Sequence, residues 1–245
     1  MRTKWSIVIV LAALAATLYL VLTEEKDQEL PNEEEENTER QVFHEVAQTD
    51  VVQLHGKQYY LYSGILSHPE FLREEAGVVK ANVFEEAQAN PHYKLSDGDA
   101  SFLPEGTRLY KIAGLEKFIA AASDDSPQGY MIYQENSRSP EEIDIPFIAN
   151  QKIKKIEIYK RSRSPLLVNT ISDNQSIYQF KDVLLKGQVH NRMYLPKVSG
   201  PTFYRVVFYS EGPIAESYSI SYDGSEWYNG HRTFKGLHQF IPEAN

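Results

Sequence analysis

Asp97, Asp99 and Ser101 stand at alternate positions in "SDGDASFLPEGTRLYKIAG", residues 96–114. Oxygen donors at that spacing open a Ca²⁺ loop, which a Gly at the sixth position and a Glu at the twelfth would complete. Phe102 is sixth here and Arg108 twelfth, so the stretch fails as a metal loop. It reads well as turns that deliver a strand. Asp97-Gly98 turns, because Asp bonds its own backbone and Gly accepts positive φ; Pro104-Glu105-Gly106 turns again; and the run from Arg108 alternates.

The other familiar chemistries find few residues to work with. The chain has no Cys, which removes thiol catalysis, thiolate metal sites, disulfides and lipidation through cysteine together. Its seven His are scattered, with His231 and His238 seven positions apart and no His-Glu-x-x-His motif. Nucleophile-elbow, Ser-x-x-Lys and phosphate-cradling glycine motifs are also missing. Adjacent acids such as Glu74-Glu75 and Glu85-Glu86 point apart in a helix or a strand, whereas paired-carboxylate catalysis needs convergence from separate elements. No catalytic residue, metal ligand or cofactor is assigned on this basis.

Two surface features could bind rather than react. "QKIKKIEIYKRSRS" carries Lys152, Lys154, Lys155, Lys160, Arg161 and Arg163 against the single acid Glu157. Such a strip suits an anionic wall polymer or lipid headgroups; alternatively, its lysines blunt an edge strand against unwanted pairing. "YDGSEWYNGHR" gathers Tyr222, Trp227, Tyr228 and His231 around a hairpin. Aromatic rings beside polar groups suit sugar or peptide recognition, and core packing by the last strand and helix is the competing reading.

The elements that must position these residues follow from periodicity. Sixteen Tyr and eleven Phe against three Met favour strands, because aromatic side chains fit a pleated surface, and the expected class is α+β. "VVQLHGKQYYLY" predicts a hairpin around His55-Gly56-Lys57. "SHPEFLREEAG" has Ser67 as a cap, Glu70 three residues on, Pro69 in the first turn and Gly77 beyond the end, which together predict a helix. A strand near Val78–Phe84, a strand from Arg108 and a hairpin of "KFIAAA" with "GYMIYQ" complete a first domain, 41–137. Residues 138–151, with two prolines and mixed charge, read as a linker.

A second domain, 152–245, restarts with "KIEIYKR" and its hairpin partner "LLVNTIS". A helix over "DNQSIYQFKDVLLKGQ" is capped by Ser172 or Asp173 and buries Ile177, Phe180, Val183 and Leu184. A three-stranded meander turns at Gly212-Pro213 and at Asp223-Gly224. Its middle strand sets Tyr218, Ile220 and Tyr222 against Ser217, Ser219 and Ser221, one face buried and one wet. Phe234, Leu237 and Ile241 predict a short closing helix.

The N-terminus supplies an address. Trp5–Leu22 is an uncharged apolar run whose length as a helix matches the hydrocarbon thickness of a bilayer. The small-residue pattern Ala13-Leu14-Ala15 lies inside the run rather than after it, which favours an uncleaved signal anchor over a cleaved signal peptide. Arg2 and Lys4 before the run and acids after it place the N-terminus in the cytoplasm and the bulk of the chain outside. Residues 23–40 form an acidic disordered linker that carries most of the net charge of −9.

"FLPEGTRLYKIAG", followed by "FIAAA" and "GYMIYQ", resembles a family of uncharacterised exported or membrane-anchored domains of low-GC Gram-positive bacteria. Their pattern runs through a Gly-Lys-x-Tyr hairpin (Gly56, Lys57, Tyr59), Gly-x-Val (Gly77–Val79), an Asp-rich segment (Asp97, Asp99) and Leu-Pro-x-Gly-Thr-x-x-Tyr-x-Ile-x-Gly (Leu103–Gly114). It ends in an Ile-Ala strand (Ile119, Ala120) with a Gly-x-x-x-Tyr partner (Gly129, Tyr133). The likeness covers roughly Val51–Gln134 and implies an extracytoplasmic module without implying catalytic residues. Relatives are often lipid-attached through a Cys that this chain lacks.

The functional expectation is a single-pass, membrane-anchored, non-enzymatic module at the cell envelope that binds, senses or assists. Its expected partners are the membrane, a membrane protein or an anionic wall polymer, and no nucleic acid. Two alternatives stand beside it: a cell-envelope hydrolase with a site of dispersed Asp, Glu and His, and a purely structural exported module.

Overall fold

The hairpin at His55-Gly56 joins β1 (Val51–Leu54) to β2 (Lys57–Leu66). Both turn residues adopt positive φ, 51° and 74°, the pairing that matches the right-handed twist of the flanking strands. The computed structural model in which this is seen describes residues 50–85, 94–136, 145–162, 164–197 and 200–242. Further along, a one-turn 3₁₀ segment at Pro69–Phe71 leads into β3 (Leu72–Val78), then β4 (Ala81–Asn82), β5 (Asp99–Ala100), β6 (Arg108–Ile112), β7 (Leu115–Ala122) and β8 (Tyr130–Glu135).

The second half contributes α1 (Ile145–Asn150), β9 (Lys155–Lys160), β10 (Leu166–Ile171) and α2 (Asn174–Leu185). It continues with β11 (Gln188–Val189), β12 (Thr202–Tyr209), β13 (Ile214–Tyr222), β14 (Trp227–Asn229) and β15 (Arg232–Phe234), and a 3₁₀ turn at Leu237–Gln239 follows.

All fifteen strands belong to one sheet, whose main path runs β10-β9-β12-β13-β2-β8-β7-β6-β3. Neighbours on that path are antiparallel, and β4 with β5 is the parallel pair. The halves join where Ile214 and Ala215 of β13 pair with Leu66 and Ile65 of β2. Residues 46–245 accordingly form one compact unit.

Four expectations are corrected. Fifteen strands, against α1 of six residues, α2 of twelve and a helical stretch at 83–85, make the described chain mainly β, not α+β. The helix expected at 67–77 is a 3₁₀ turn and a strand, because tertiary contacts claim its capping residue. The Ser67 hydroxyl donates to the Gly212 carbonyl and its amide to the Pro213 carbonyl at 2.9 Å, while Leu72–Val78 pairs with β6. The closing helix is β15 plus a 3₁₀ turn, although Phe234, Leu237 and Ile241 are buried as expected.

The fourth concerns the membrane helix. Among the described residues no helix is long and apolar enough to cross a membrane. The expected span at 5–22 and the acidic linker at 23–40 lie outside the described residues, so the structure gives that helix no support. Part of the expected linker at 138–151 is α1, which sends Ile145 and Ile148 into the core.

The second half follows its sequence closely. The Asp173 carboxylate caps α2 by accepting from the Ser176 amide at 2.8 Å, and Ile177, Phe180 and Leu184 face the core. Gly187, just past the end of this helix, is needed for space, since a Cβ there would come within 2.6 Å of the Phe234 ring. Tyr204, Val206 and Phe208 point from β12 into the core beneath the helices. The opposite face of the same strands, with Tyr159, Val207, Tyr209 and Ala215, packs against Ile65 of the first half.

Candidate functional site

Strand alternation decides which basic residues meet. Ile156 and Ile158 of β9 enter the core, so Lys155, Glu157, Tyr159 and Arg161 share the other face. On β12 the matching residues are Phe203, Arg205, Val207 and Tyr209, and Arg205 stands directly opposite Tyr159 in the ladder. That face closes against the first half at one end and opens at the other into a cleft of about 580 Å³. Tyr159, Lys160, Arg161 and Arg205 line one side of the cleft, and Asp50, Leu61, Phe102, Leu103, Ser123, Asp125 and Met131 belong to the other half of the chain.

Arg161 and Arg205 have no hydrogen-bonding or ion-pairing partner for their guanidinium groups among the described residues. Burial, and then the charge of Arg161, pull Arg205 below its ordinary value. Two neighbouring cations that repel each other in a partly dry recess form a site that an anion would relieve. Asp50 and Asp125 are the acids of the lining, and Asp50 is the more buried of the two. Burial pushes the Asp50 carboxyl above the ordinary range, with partial opposition from the Tyr133 hydroxyl, which donates to it at 3.0 Å.

The closed end is held by a polar network. Lys155 donates to Glu157 Oε1 at 2.7 Å, while the Tyr159 and Tyr209 hydroxyls both donate to Oε2 at 2.6 Å. Gln128 of the first half donates to the Tyr209 hydroxyl at 3.1 Å, so the network crosses between the halves. Burial alone would raise Glu157, but the hydrogen bonds from Lys155, Tyr159 and Tyr209 outweigh it and hold the carboxyl low. The same bonds and burial push both tyrosines up, leaving them as neutral donors.

The basic strip therefore divides. Arg161 and Lys160 reach the cleft, Lys155 is committed to Glu157, Lys154 pairs with Glu211 at 2.8 Å, and Lys152 lies exposed outside. Arg163 lies outside the described residues. Arg205 escaped the sequence reading because it sits among strand aromatics, 44 positions from Arg161. The alternation of "FYRVVFY" was its available signal: it puts Arg205 on the face away from Tyr204 and Val206.

The aromatic group is placed differently from a displayed patch. Trp227 is 1% exposed, stacks on Tyr222 at 4.6 Å and meets the edge of His238 at 5.5 Å. Tyr228 is buried against Tyr194 at 4.7 Å, and His231 alone of the four is exposed. Core packing accounts for three of these four residues.

Asp99 acts locally, its carboxylate accepting from the Ser96 amide, whereas the Asp97 carboxylate accepts from the Gly56 amide at 2.7 Å and ties this segment to the first hairpin. Among the described residues no group of three His, Asp or Glu side chains is arranged to hold a metal ion. Comparison of the chain with family models, with curated proteins and with solved structures gives no match.

Proposed function

We propose that this chain is a non-enzymatic binding module of the cell envelope whose cleft takes an anionic group of a wall polymer. The observation that carries the reading is the pair Arg161 and Arg205, two guanidinium groups without a described acceptor in one cleft. Guanidinium forks match carboxylate and phosphate oxygens, and Leu103, Met131 and Tyr159 add apolar contact beside them. The apolar address at the N-terminus supports the envelope location.

The test is titration of the full-length chain with a phosphate-bearing and a carboxylate-bearing wall polymer, each at rising salt. Binding to one of them should weaken with salt, and Arg205→Ala should cost about tenfold or more, the loss expected for a charge-assisted hydrogen bond. Lys152→Ala, outside the cleft, should cost little. Equal binding by the Arg205→Ala and parent chains would remove the cleft from the reading. A hydrolase would have to work from Asp50 and Asp125 in the same lining, and release of fragments from either polymer would favour it.

A further inference from the structure

A second surface, away from the arginine cleft, combines exposed apolar side chains with a fixed backbone. Val189, Met193 and Leu195 are 62%, 62% and 78% exposed, on the segment that follows α2. Exposed apolar side chains gathered on one segment usually mark a contact surface. A loose loop would be free to fold them inward, but this one is pinned. The His190 amide donates to the His231 carbonyl and the Tyr194 amide to the Gly230 carbonyl, each at 2.8 Å.

Between the outward residues, Tyr194 turns in. Its ring packs on Tyr228 and its hydroxyl donates to Asp223 at 2.8 Å. The same carboxylate accepts from the Lys197 amide at 3.0 Å and from the Ser225 and Glu226 amides at 2.9 and 2.8 Å. Asp223 is 1% exposed and is spent on this clamp. The clamp holds Met193 and Leu195 in water, which costs free energy unless something covers them.

Charge identifies what covers them. No Asp or Glu occurs between Asp182 and Glu211, while Arg192 and Lys197 are exposed beside the apolar residues, with Arg232 opposite Val189 in the β11–β15 ladder. Glu226, whose own amide donates to Asp223, is the one acid that flanks the clamp. Apolar side chains that project from a rigid loop with a basic surround fit an interface in which hydrocarbon lies just beneath negative charge.

We propose that the loop at 189–197 docks on an anionic lipid surface, with Met193 and Leu195 entering the headgroup–acyl boundary and Arg192 and Lys197 on the phosphates. This rests on the envelope location proposed above and not on the arginine cleft.

The absence of Cys allows a clean test, because Leu195→Cys creates a single labelling site. The full-length chain, labelled there with an environment-sensitive fluorophore, is reconstituted with vesicles rich in phosphatidylglycerol or made of phosphatidylcholine alone. A quencher carried on the acyl chains should quench the label strongly in the anionic vesicles and weakly in the neutral ones. Salt, or the double change Arg192→Glu and Lys197→Glu, should abolish the difference. A label at Tyr178→Cys, 72% exposed on α2, should stay unquenched, and Met193→Cys provides a second reporting site.

Equal quenching at 195 and 178, or a label at 195 open to aqueous iodide in both vesicles, overturns the proposal. A label at 195 shielded from lipid and aqueous quenchers alike also overturns it, in favour of a protein occupant. Arg205→Ala, which disables the cleft, should leave the quenching unchanged, so failure of one reading is told apart from failure of the other.

Discussion

Leu66 and Ile214 are partners across the antiparallel ladder between β2 and β13, the register through which one sheet passes from the first half of the chain to the second. Side chains from both strands crowd the one glycine of this seam. A Cβ on Gly64 would lie 2.6 Å from Ile214 Cγ2 and 2.7 Å from the Tyr62 ring.

Gly64→Ala should therefore loosen the seam, at about 1–3 kcal/mol for overpacking a closed site. Denaturant unfolding followed by tryptophan fluorescence, with Trp5 replaced by Phe so that Trp227 alone reports, and by far-ultraviolet dichroism would check this. Coincident transitions in the parent that separate in the variant would show that the ladder couples the halves. An unchanged midpoint would show that the seam yields without cost.

The Glu157 network makes a prediction about acid. Its carboxyl is held below the ordinary value of 4.5, so the folded state binds fewer protons than the unfolded one near that pH. The stability it supplies is complete above that value and is lost as pH falls through the lower folded one. Glu157→Gln should cost about 1–3 kcal/mol at neutral pH, the penalty for disturbing buried charge-assisted bonds, and progressively less below pH 4.5. Parallel denaturation curves for the variant and parent across that range would contradict it.

Asp50 behaves in the opposite sense. Burial raises its carboxyl above 3.8, so its contribution is present below that value and is lost as pH rises through the folded one. Asp50→Asn keeps an oxygen to accept from Tyr133 and removes the buried charge. It should raise the melting temperature modestly at neutral pH, with the gain fading in acid. As Asp50 lines the arginine cleft, the same variant should bind a polyanion more tightly; weaker binding would mean that Asp50 touches the ligand favourably.

Much of this architecture was legible in the sequence, for local reasons. His55-Gly56 specifies a tight hairpin, Asp173 with Ile177, Phe180 and Leu184 specifies a capped amphipathic helix, and the Tyr/Ser alternation of β13 specifies a strand with unlike faces. Ser67, Pro69 and Glu70 carried an equally local helix signal that failed, because Ser67 is spent on the Gly212-Pro213 turn and Leu72–Val78 completes the ladder of β6. No window of sequence contains that competition.

The cleft was half legible. Charge counting found Arg161 with its lysines, but whether a lysine is free depends on its partners: Lys154 is matched by the distant Glu211, and Lys155 by Glu157 of the same strip, which Tyr159 and the distant Tyr209 also hold. Arg205 becomes a neighbour of Arg161 through the β9–β12 ladder alone.

The place of β13 in the sheet has a consequence for synthesis. Ribosomes make the first half first, and the far end of β2 keeps an open edge until residues 214 and 215 have been made, about 150 positions later. An unpaired edge on a slowly closing, non-local topology is the usual starting point for aggregation. The nascent chain therefore passes through a stage in which a chaperone that covers strand edges would be of most use, and a truncation before residue 214 would make that stage permanent.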